Sequence, residues 1–363
     1  MNKLDNTRQL INEIDAEMAK LFEKRMEASR IVAEYKKERG LPILDKIRED
    51  EVIRRNSGLI TNAEHQEFYI SFLKKTMEVS RSYQSRIIEG MRVAYSGTEG
   101  AFAHIAATRR FPSARKIGYK SFDDAYCAVE KGECDVCVLP IENSYNGEVG
   151  QVSDLLFSGS LYVNGIIEIT ITQDLLGVKG ATVGDIKQVI SHPQALGQCR
   201  EFIKKGGFST IEYENTALAA SYVAEKGDKT IGAIASAESA EIFGLEILAH
   251  NVNSSPLNTT KFLVLSRASD THSSKEMGIH TILLFTVRNE AGALAKAIEI
   301  IGKHGFNMRA IRSRPMKDLL WQYYFYVEAE GNVCTEDGKA MMSELSMYCD
   351  RLKALGTYIK REI

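Results

Sequence analysis

VLPIENSYNG, residues 138–147, runs out of an apolar segment into a polar cluster. A short apolar run bounded by turn residues reads as a buried strand, and open α/β sheets hold their ligands where such strands end. The same grammar recurs on both sides. RVAYSGTEGAFAHIAA (92–107) is a strand, a tight glycine turn and a helix start. VISHPQALGQC (189–199) finishes a strand at Val189 and Ile190, turns at Pro193 and puts Gln198 on a helix. EYENTALAASYVA (212–224) opens a helix behind a cap at Asn215 or Thr216. GAIASAESAEIFGL (232–245) passes from strand to helix, and FLVLSR (262–267) is a further strand. Residues from Arg92 to about Asp270 are therefore α/β, and polar strand ends in two halves predict a cleft for a small polar molecule.

The flanks have different grammars. Residues 1 to about 90 are charge-rich and almost purely helical in pattern. ASDTHSSKEMG (268–278) is small and polar, a linker. Beyond it HTILLFTVRN, GALAKAIEIIGKHG, NMRAIRSRP, WQYYFYVEAEG, GKAMMSELSMYCDRLKALG and TYIKREI read strand, helix, strand, strand, helix, strand. That βαββαβ order is the ferredoxin-like unit. The expected organisation is residues 1–90, 91–270 and 279–363, in keeping with a chain of 363 residues.

Bulk properties narrow the function. A formal charge of -2 gives no reason to expect nucleic acid or an anionic membrane as partner. MNKLDNTRQL has no apolar core of a signal, and no apolar run approaches a membrane span. Six cysteines in a chain this long do not make a disulfide framework, so a reducing cytoplasm is expected. CDVC (134–137) lacks a second C-x-x-C and leads directly into VCVLPI, so it reads as the start of a strand rather than a metal or redox pair. The glycine turn at 97–100 has neither dinucleotide nor P-loop spacing. It either serves the turn alone or offers backbone N–H groups to an anion.

The first helix carries cations where apolar residues belong. Leu4, Ile11 and Met18 fall on one heptad position, and Ile14, Leu21, Ala28 and Tyr35 on the other. The first series continues with Arg25 and then Val32. An arginine at a seam costs desolvation unless an anion meets it, it pairs internally, or it snorkels to water. Lys36 lies on the same face, within roughly 20° of Arg25 and about 16 Å further along the axis. Between them a small dianion has room. Asp45, Arg48 and Glu49 follow within a turn, and Ser80 and Gln84 share a helix face at i, i+4. Arg8 is about 25 Å from Arg25 on a straight helix, so it reaches the same site only from a second chain. A homodimer or higher homo-oligomer with shared sites is expected.

These residues resemble the all-helical chorismate mutase family: Arg8, Arg25, Lys36, Asp45, Arg48, Glu49, Ser80 and Gln84 fall on its site pattern. The resemblance implies rearrangement of chorismate to prephenate. By it, Arg8, Arg25 and Arg48 hold the carboxylates and enolpyruvyl end. Lys36 and Gln84 face the ether oxygen, and Glu49 accepts from the ring hydroxyl. The reaction is pericyclic, so the site must hold a compact conformer and stabilise developing charge.

The motifs of the middle region, taken in order with NTTKF (258–262), resemble the prephenate dehydratase domain. That implies two lobes like a periplasmic binding protein, and conversion of prephenate to phenylpyruvate with loss of carbon dioxide and water. Thr260 is then assigned to the departing hydroxyl, with Glu142, Asn143, Ser191 and Gln198 positioning the substrate. Read without the family, Thr260 is a hydroxyl capping a turn at a strand edge. The family triplet Thr-Arg-Phe is Thr260-Lys261-Phe262 here, and Lys261 keeps the charge of a carboxylate contact but not its two-pronged geometry.

The last region resembles the ACT domain that follows such dehydratases and binds phenylalanine. Gly292, Ala293 and Leu294, then Asn307, Ser313, Arg314 and Pro315, match its effector site. The family's glutamate before Ser-Arg-Pro is Arg312, a charge reversal. The whole predicts a multidomain cytoplasmic enzyme with an all-α dimerising domain, a two-lobed α/β domain and a ferredoxin-like ACT domain. Its substrates are chorismate and prephenate, phenylalanine is its effector, and no metal or organic cofactor is needed. Two other readings fit the residues: a dehydratase of prephenate or arogenate with an inactive mutase arm, and a non-enzymatic sensor of aromatic ligands.

Overall fold

The computed structural model describes residues 3–254, 258–269, 278–316 and 322–359. The expected linker at 268–278 lies mostly outside them. The chain forms two compact units, Met1–Arg92 and Val93–Ile363.

The first unit is three helices: α1 (Lys3–Arg39), α2 (Lys46–Ser57) and α3 (Ala63–Glu89). Asp45 caps α2 by accepting from the Arg48 N–H at 2.9 Å, and Asn62 caps α3 through the Glu64 N–H. Both α1 and α2 pack on α3. In α1 the buried residues are the small Ser29 and Ala33, whereas the seam residues Leu4, Ile11, Ile14, Met18, Leu21 and Tyr35 are exposed.

The second unit begins with β1 (Arg92–Ser96), α4 (Phe102–Arg110), β2 (Arg115–Tyr119), α5 (Phe122–Glu130), β3 (Val136–Asn143), β4 (Gly147–Glu148), α6 (Gly150–Ser158) and β5 (Tyr162–Thr170). The chain then crosses to β6 (Asp174–Gly177), β7 (Gln188–Ser191), α7 (Pro193–Gln198), α8 (Arg200–Gly206), β8 (Ser209–Glu212), α9 (Thr216–Lys226), β9 (Ile231–Ala235), α10 (Ala237–Phe243) and β10 (Glu246–Ala249). It returns as β11 (Thr259–Ser266), which inserts between β3 and β5. One sheet runs β2-β1-β3-β11-β5 and the other β10-β6-β9-β7-β8, giving two lobes. The two crossings run side by side, with Ile171 donating to the Asn258 carbonyl and Val252 to the Gln173 carbonyl, each at 2.7 Å.

β12 (Ile279–Val287), α11 (Ala293–Lys303), β13 (Asn307–Pro315), β14 (Tyr323–Glu330), α12 (Glu336–Ser346) and β15 (Cys349–Ile359) complete the unit as a βαββαβ element. Its antiparallel sheet is ordered β13-β14-β12-β15. One face, with Leu283, Phe285 and Val327, packs on Ile300, Ile301, Met341 and Leu345 of the helices. The other face supplies Ile282, Leu284, Tyr324, Tyr326 and Tyr358 to the core of the first lobe. β12 is accordingly buried on both faces, which explains its unbroken apolar run. β15 approaches β5 so closely that a Cβ at Gly356, whose φ is +155°, would collide with the Val163 carbonyl oxygen. Gly356→Ala is expected to cost about 2–4 kcal/mol, read as an earlier thermal transition of the second unit; an unchanged melting curve would contradict the close approach.

Candidate active sites

In the helical unit Arg25 is partly buried, and burial draws its guanidinium down from the usual value. It donates to the Ser80 hydroxyl and, at 3.3 Å, to the Thr76 carbonyl. Among the described residues both partners are neutral, so the charge of Arg25 is not cancelled by a carboxylate. Lys36 Nζ donates to the Ile43 carbonyl at 2.6 Å, bracing the turn between α1 and α2. Gln84 lies one turn beyond Ser80 on α3; it is buried, and its Oε1 has no hydrogen-bond partner among the described residues. Asp45 serves as the α2 cap, and exposed Arg48 pairs with Glu51 at 3.1 Å. Glu49 is held by Arg81, a partner the sequence reading missed although it sits inside SRSYQ. Arg8 is exposed on the same helix as Arg25.

Between the lobes lies a cavity of about 290 Å³. β3 and β11 supply Asn143, Thr260 and Phe262 to its wall, the α4 start supplies Ala101–Ala103, and β7–α7 supply His192 and Gln198. Asn215 and Thr216 line it at the start of α9, and Gln173 and Asn258 come from the crossings. No lysine or arginine is among these lining residues. The N-termini of α4 and α9 supply positive potential in their place. Asn215 caps α9 through the Leu218 N–H at 2.7 Å. His192 is the α7 cap, its Nδ1 accepting from the Gln194 N–H at 3.3 Å.

A hydrogen-bonded chain crosses the wall. Asn143 Oδ1 accepts from the backbone N–H groups of Tyr145 and Asn146, at 3.0 and 2.9 Å. Two donors at one end of the amide fix its orientation, so Nδ2 is turned toward Thr260. It donates to Thr260 Oγ1 at 2.9 Å and to Asn258 Oδ1 at 2.7 Å. Asn258 in turn donates to Gln198 Oε1 at 3.1 Å. With an accepted hydrogen bond on its oxygen, the Thr260 hydroxyl is left to donate.

Three of the expected dehydratase residues, Thr260, Asn143 and Gln198, meet at this cavity. Ser191 does not line it: its buried hydroxyl donates to the Ile234 carbonyl at 2.6 Å and ties β7 to β9. Glu142 and Lys261 also lie elsewhere. Each precedes or follows a cavity residue by one, and strand alternation sends its side chain to the opposite face. There Lys261 Nζ is 3.5 Å from Glu142, not in the cleft. Asn258, Gln173 and the α9 start were not picked out as site residues, because nothing in their local spacing marks the crossings as walls.

In the C-terminal element Gly292 adopts φ +86° at the start of α11, and Leu294 borders a cavity of about 360 Å³ with Phe325, Glu290 and Asp350. Ser313 is the β-register partner of Phe325. Asn307 donates to Glu330 at 2.8 Å. Arg314 leaves on the other face, pairing with Asp154 at 3.1 Å and lying against Gly150, while Pro315 borders a separate cavity of about 500 Å³.

The arrangement defines a class: a chain joining a three-helix unit with a half-buried, carboxylate-free arginine to a two-lobed α/β unit whose interlobe cavity is walled by neutral polar groups and a positioned hydroxyl. The prephenate dehydratase family model matches residues 93–270, and the chorismate mutase type II model matches residues 7–85. The bifunctional chorismate mutase/prephenate dehydratase of Aquifex aeolicus is 33% identical, with 99% of each chain aligned. That of Neisseria gonorrhoeae is 30% identical over 97% of this chain and 95% of its own. A crystal structure of prephenate dehydratase from Arthrobacter aurescens, in complex with L-Phe, superposes with a TM-score of 0.69 at 24% identity, over 74% of this chain and 90% of that one. The chain belongs to the bifunctional chorismate mutase/prephenate dehydratases, enzymes of phenylalanine biosynthesis. Among the described residues no helix is long and apolar enough to cross a membrane.

Proposed function

We propose that the two reactions use the two sites just described, and that the hydrogen bond from Asn143 to Thr260 is the decisive feature of the second. Prephenate carries two carboxylates and a ring hydroxyl. Its carboxylates are met by the N-termini of α4 and α9, with Gln173, Gln198 and Asn258 as neutral donors. The ring hydroxyl faces Thr260. As the carboxylate leaves as carbon dioxide, its bonding electrons enter the ring, the carbon–oxygen bond breaks, and the hydroxyl departs as water with a proton relayed through Thr260. Asn143 strengthens this donor by accepting part of the charge that builds on Oγ1. Aromaticity of the product supplies the driving force, so a weak but positioned acid is enough.

In the helical unit Arg25, Lys36 and Arg48 hold the carboxylates and ether end of chorismate, while Ser80 and Gln84 lie on the facing side of α3. Arg25, half-buried against a neutral hydroxyl, is the observation supporting this reading. Arg8 completes the site from a second copy. The exposed seam of Leu4, Ile11, Ile14, Met18 and Leu21 is the surface by which two copies pair. A reducing cytoplasm fits the six free cysteines.

The C-terminal element is read as an ACT domain of ferredoxin-like topology that binds phenylalanine near Gly292–Leu294 and Ser313. Domain limits of 1–90, 91–270 and 279–363 belong to the same reading. Arg314 turns toward Asp154, so on this reading it acts as a strut to the first lobe and not as a ligand.

Three measurements test these assignments. Thr260→Ala is expected to lower turnover of prephenate by about 100-fold or more and leave chorismate rearrangement intact, with Arg25→Ala doing the reverse. Retention of both rates in both variants would sink the two sites. Solution mass is expected to show at least a dimer, and mixing inactive Arg8→Ala with inactive Arg25→Ala chains should recover mutase activity through hybrid sites. A fully active monomer would rule that out. Millimolar phenylalanine should depress prephenate turnover; a rate that does not respond would remove the effector assignment.

A further inference from the structure

Lys261 and Arg312, the two departures noted above from the motifs this chain resembles, converge on one carboxylate. In the β3–β11 register Lys261 pairs with Glu142, next to the pair Thr260 and Asn143. Glu142 Oε2 lies 3.5 Å from Lys261 Nζ and 2.7 Å from a terminal nitrogen of Arg312. Arg312 stands on β13 opposite Tyr326, with its guanidinium 4.9 Å from the Tyr326 ring centroid. Its side chain is only 14% exposed. The charge reversal at this position therefore faces the first lobe, not the Leu294 cavity.

The segment so anchored is the one that carries the chemistry. The β3–β11 ladder shifts register between Lys261 and Phe262, and irregularities of this kind re-aim the side chains beside them. On one face of this segment, just before the shift, the strands present Asn143 and Thr260 to the interlobe cavity. On the other face Glu142, beside Lys261, meets Arg312 of β13. A rigid backbone shared by both faces means that a displacement of Glu142 moves Asn143, and with it the donor to Thr260 Oγ1. Arg312 is mostly buried although Glu142 is only half-buried, so parting the two leaves the guanidinium without its carboxylate where little water reaches it. Nothing in the cluster touches the cavity, so its effect on chemistry acts through position alone.

We propose that Arg312, Glu142 and Lys261 are positioning residues for the dehydration step, coupling the placement of strand β13 to the alignment of Asn143 with Thr260. The inference rests on the assignment of the interlobe cavity as the dehydratase site. Arg312→Gln is expected to reduce kcat for prephenate about tenfold with KM within about twofold, a cost in alignment rather than binding. Arg312→Lys, which keeps the charge, should recover at least about half of the parent kcat, and Glu142→Gln should lose activity as Arg312→Gln does. The discriminating readout is non-additivity. In an Asn143→Ala background, Arg312→Gln should cost less than about twofold, since the group it positions is already gone. Losses that multiply in that background, or parent-like kcat in both Arg312→Gln and Glu142→Gln, would overturn the proposal. If Arg312→Gln fails to fold, Glu142→Gln decides by the same cycle. Full prephenate turnover in Thr260→Ala would instead reject the site on which the inference rests.

Discussion

The antiparallel pairing of β3 with β11 is the constraint on which the second unit depends. β11 arrives late in the chain yet lies inside the first-lobe sheet, between β3 and β5. This insertion closes the lobe and brings Thr260 beside Asn143, 117 residues away in sequence. It also fixes which face each side chain serves. Because alternate residues leave a strand on opposite sides, one two-residue step gives the cavity its hydroxyl and amide and gives the C-terminal sheet its ion cluster.

Packing makes that sheet part of the catalytic unit rather than an appendage. One apolar cluster runs from Leu139, Leu156 and Leu263 of the first lobe to Ile282, Tyr326 and Tyr358 of the C-terminal sheet. Polar contacts rim it. Tyr324 and Arg314 both reach Asp154, at 3.0 and 3.1 Å, and Lys353 Nζ donates to the free carbonyls at the end of α6, at 3.1 Å to Leu156 and 2.5 Å to Gly159. Burial draws the Lys353 ammonium down from its ordinary value, but the carbonyls at a helix C-terminus are where a cation is best placed. With cores on both faces, the sheet has little room to deform gradually, since packed interiors repack between discrete arrangements.

Much of this was legible in the sequence, for physical reasons that also mark where reading fails. Strand ends such as Ile141–Asn143 and helix caps such as Asn215 are local features, and local chemistry sets them. The three expected residues at the cavity, Asn143, Gln198 and Thr260, all stand at or beside such ends. Glu142, Lys261 and Ser191 were misplaced because a motif is a string whereas a strand has two faces. One residue of register decides between cleft and core. Asn258 escaped notice because its importance comes from two crossing segments meeting, which no spacing records. On α1 the heptad pattern marks an apolar stripe, but burial in one chain falls on Ser29 and Ala33 and leaves the stripe exposed. Small residues admit α3 closely on one side, leaving the larger apolar ones outward.

The absence of lysine and arginine from the described lining of the cavity shapes what such a site can do. A guanidinium would bind prephenate tightly and bind the monoanionic product nearly as tightly. Helix N-termini and neutral amides hold anions through partial charges that fall off within a turn. With prephenate placed as proposed, loss of one carboxylate as carbon dioxide removes one of its two attachments, so the product is held less firmly than the substrate. The same neutrality favours decarboxylation itself. A cation at the ring carboxylate would stabilise the charge that must leave it, raising the barrier by lowering the ground state. Lys261 and Arg312 stand on the face away from the cavity, which keeps their charge from the reacting carboxylate of the proposed site while, as proposed, their pairing with Glu142 positions Asn143 against the hydroxyl of Thr260.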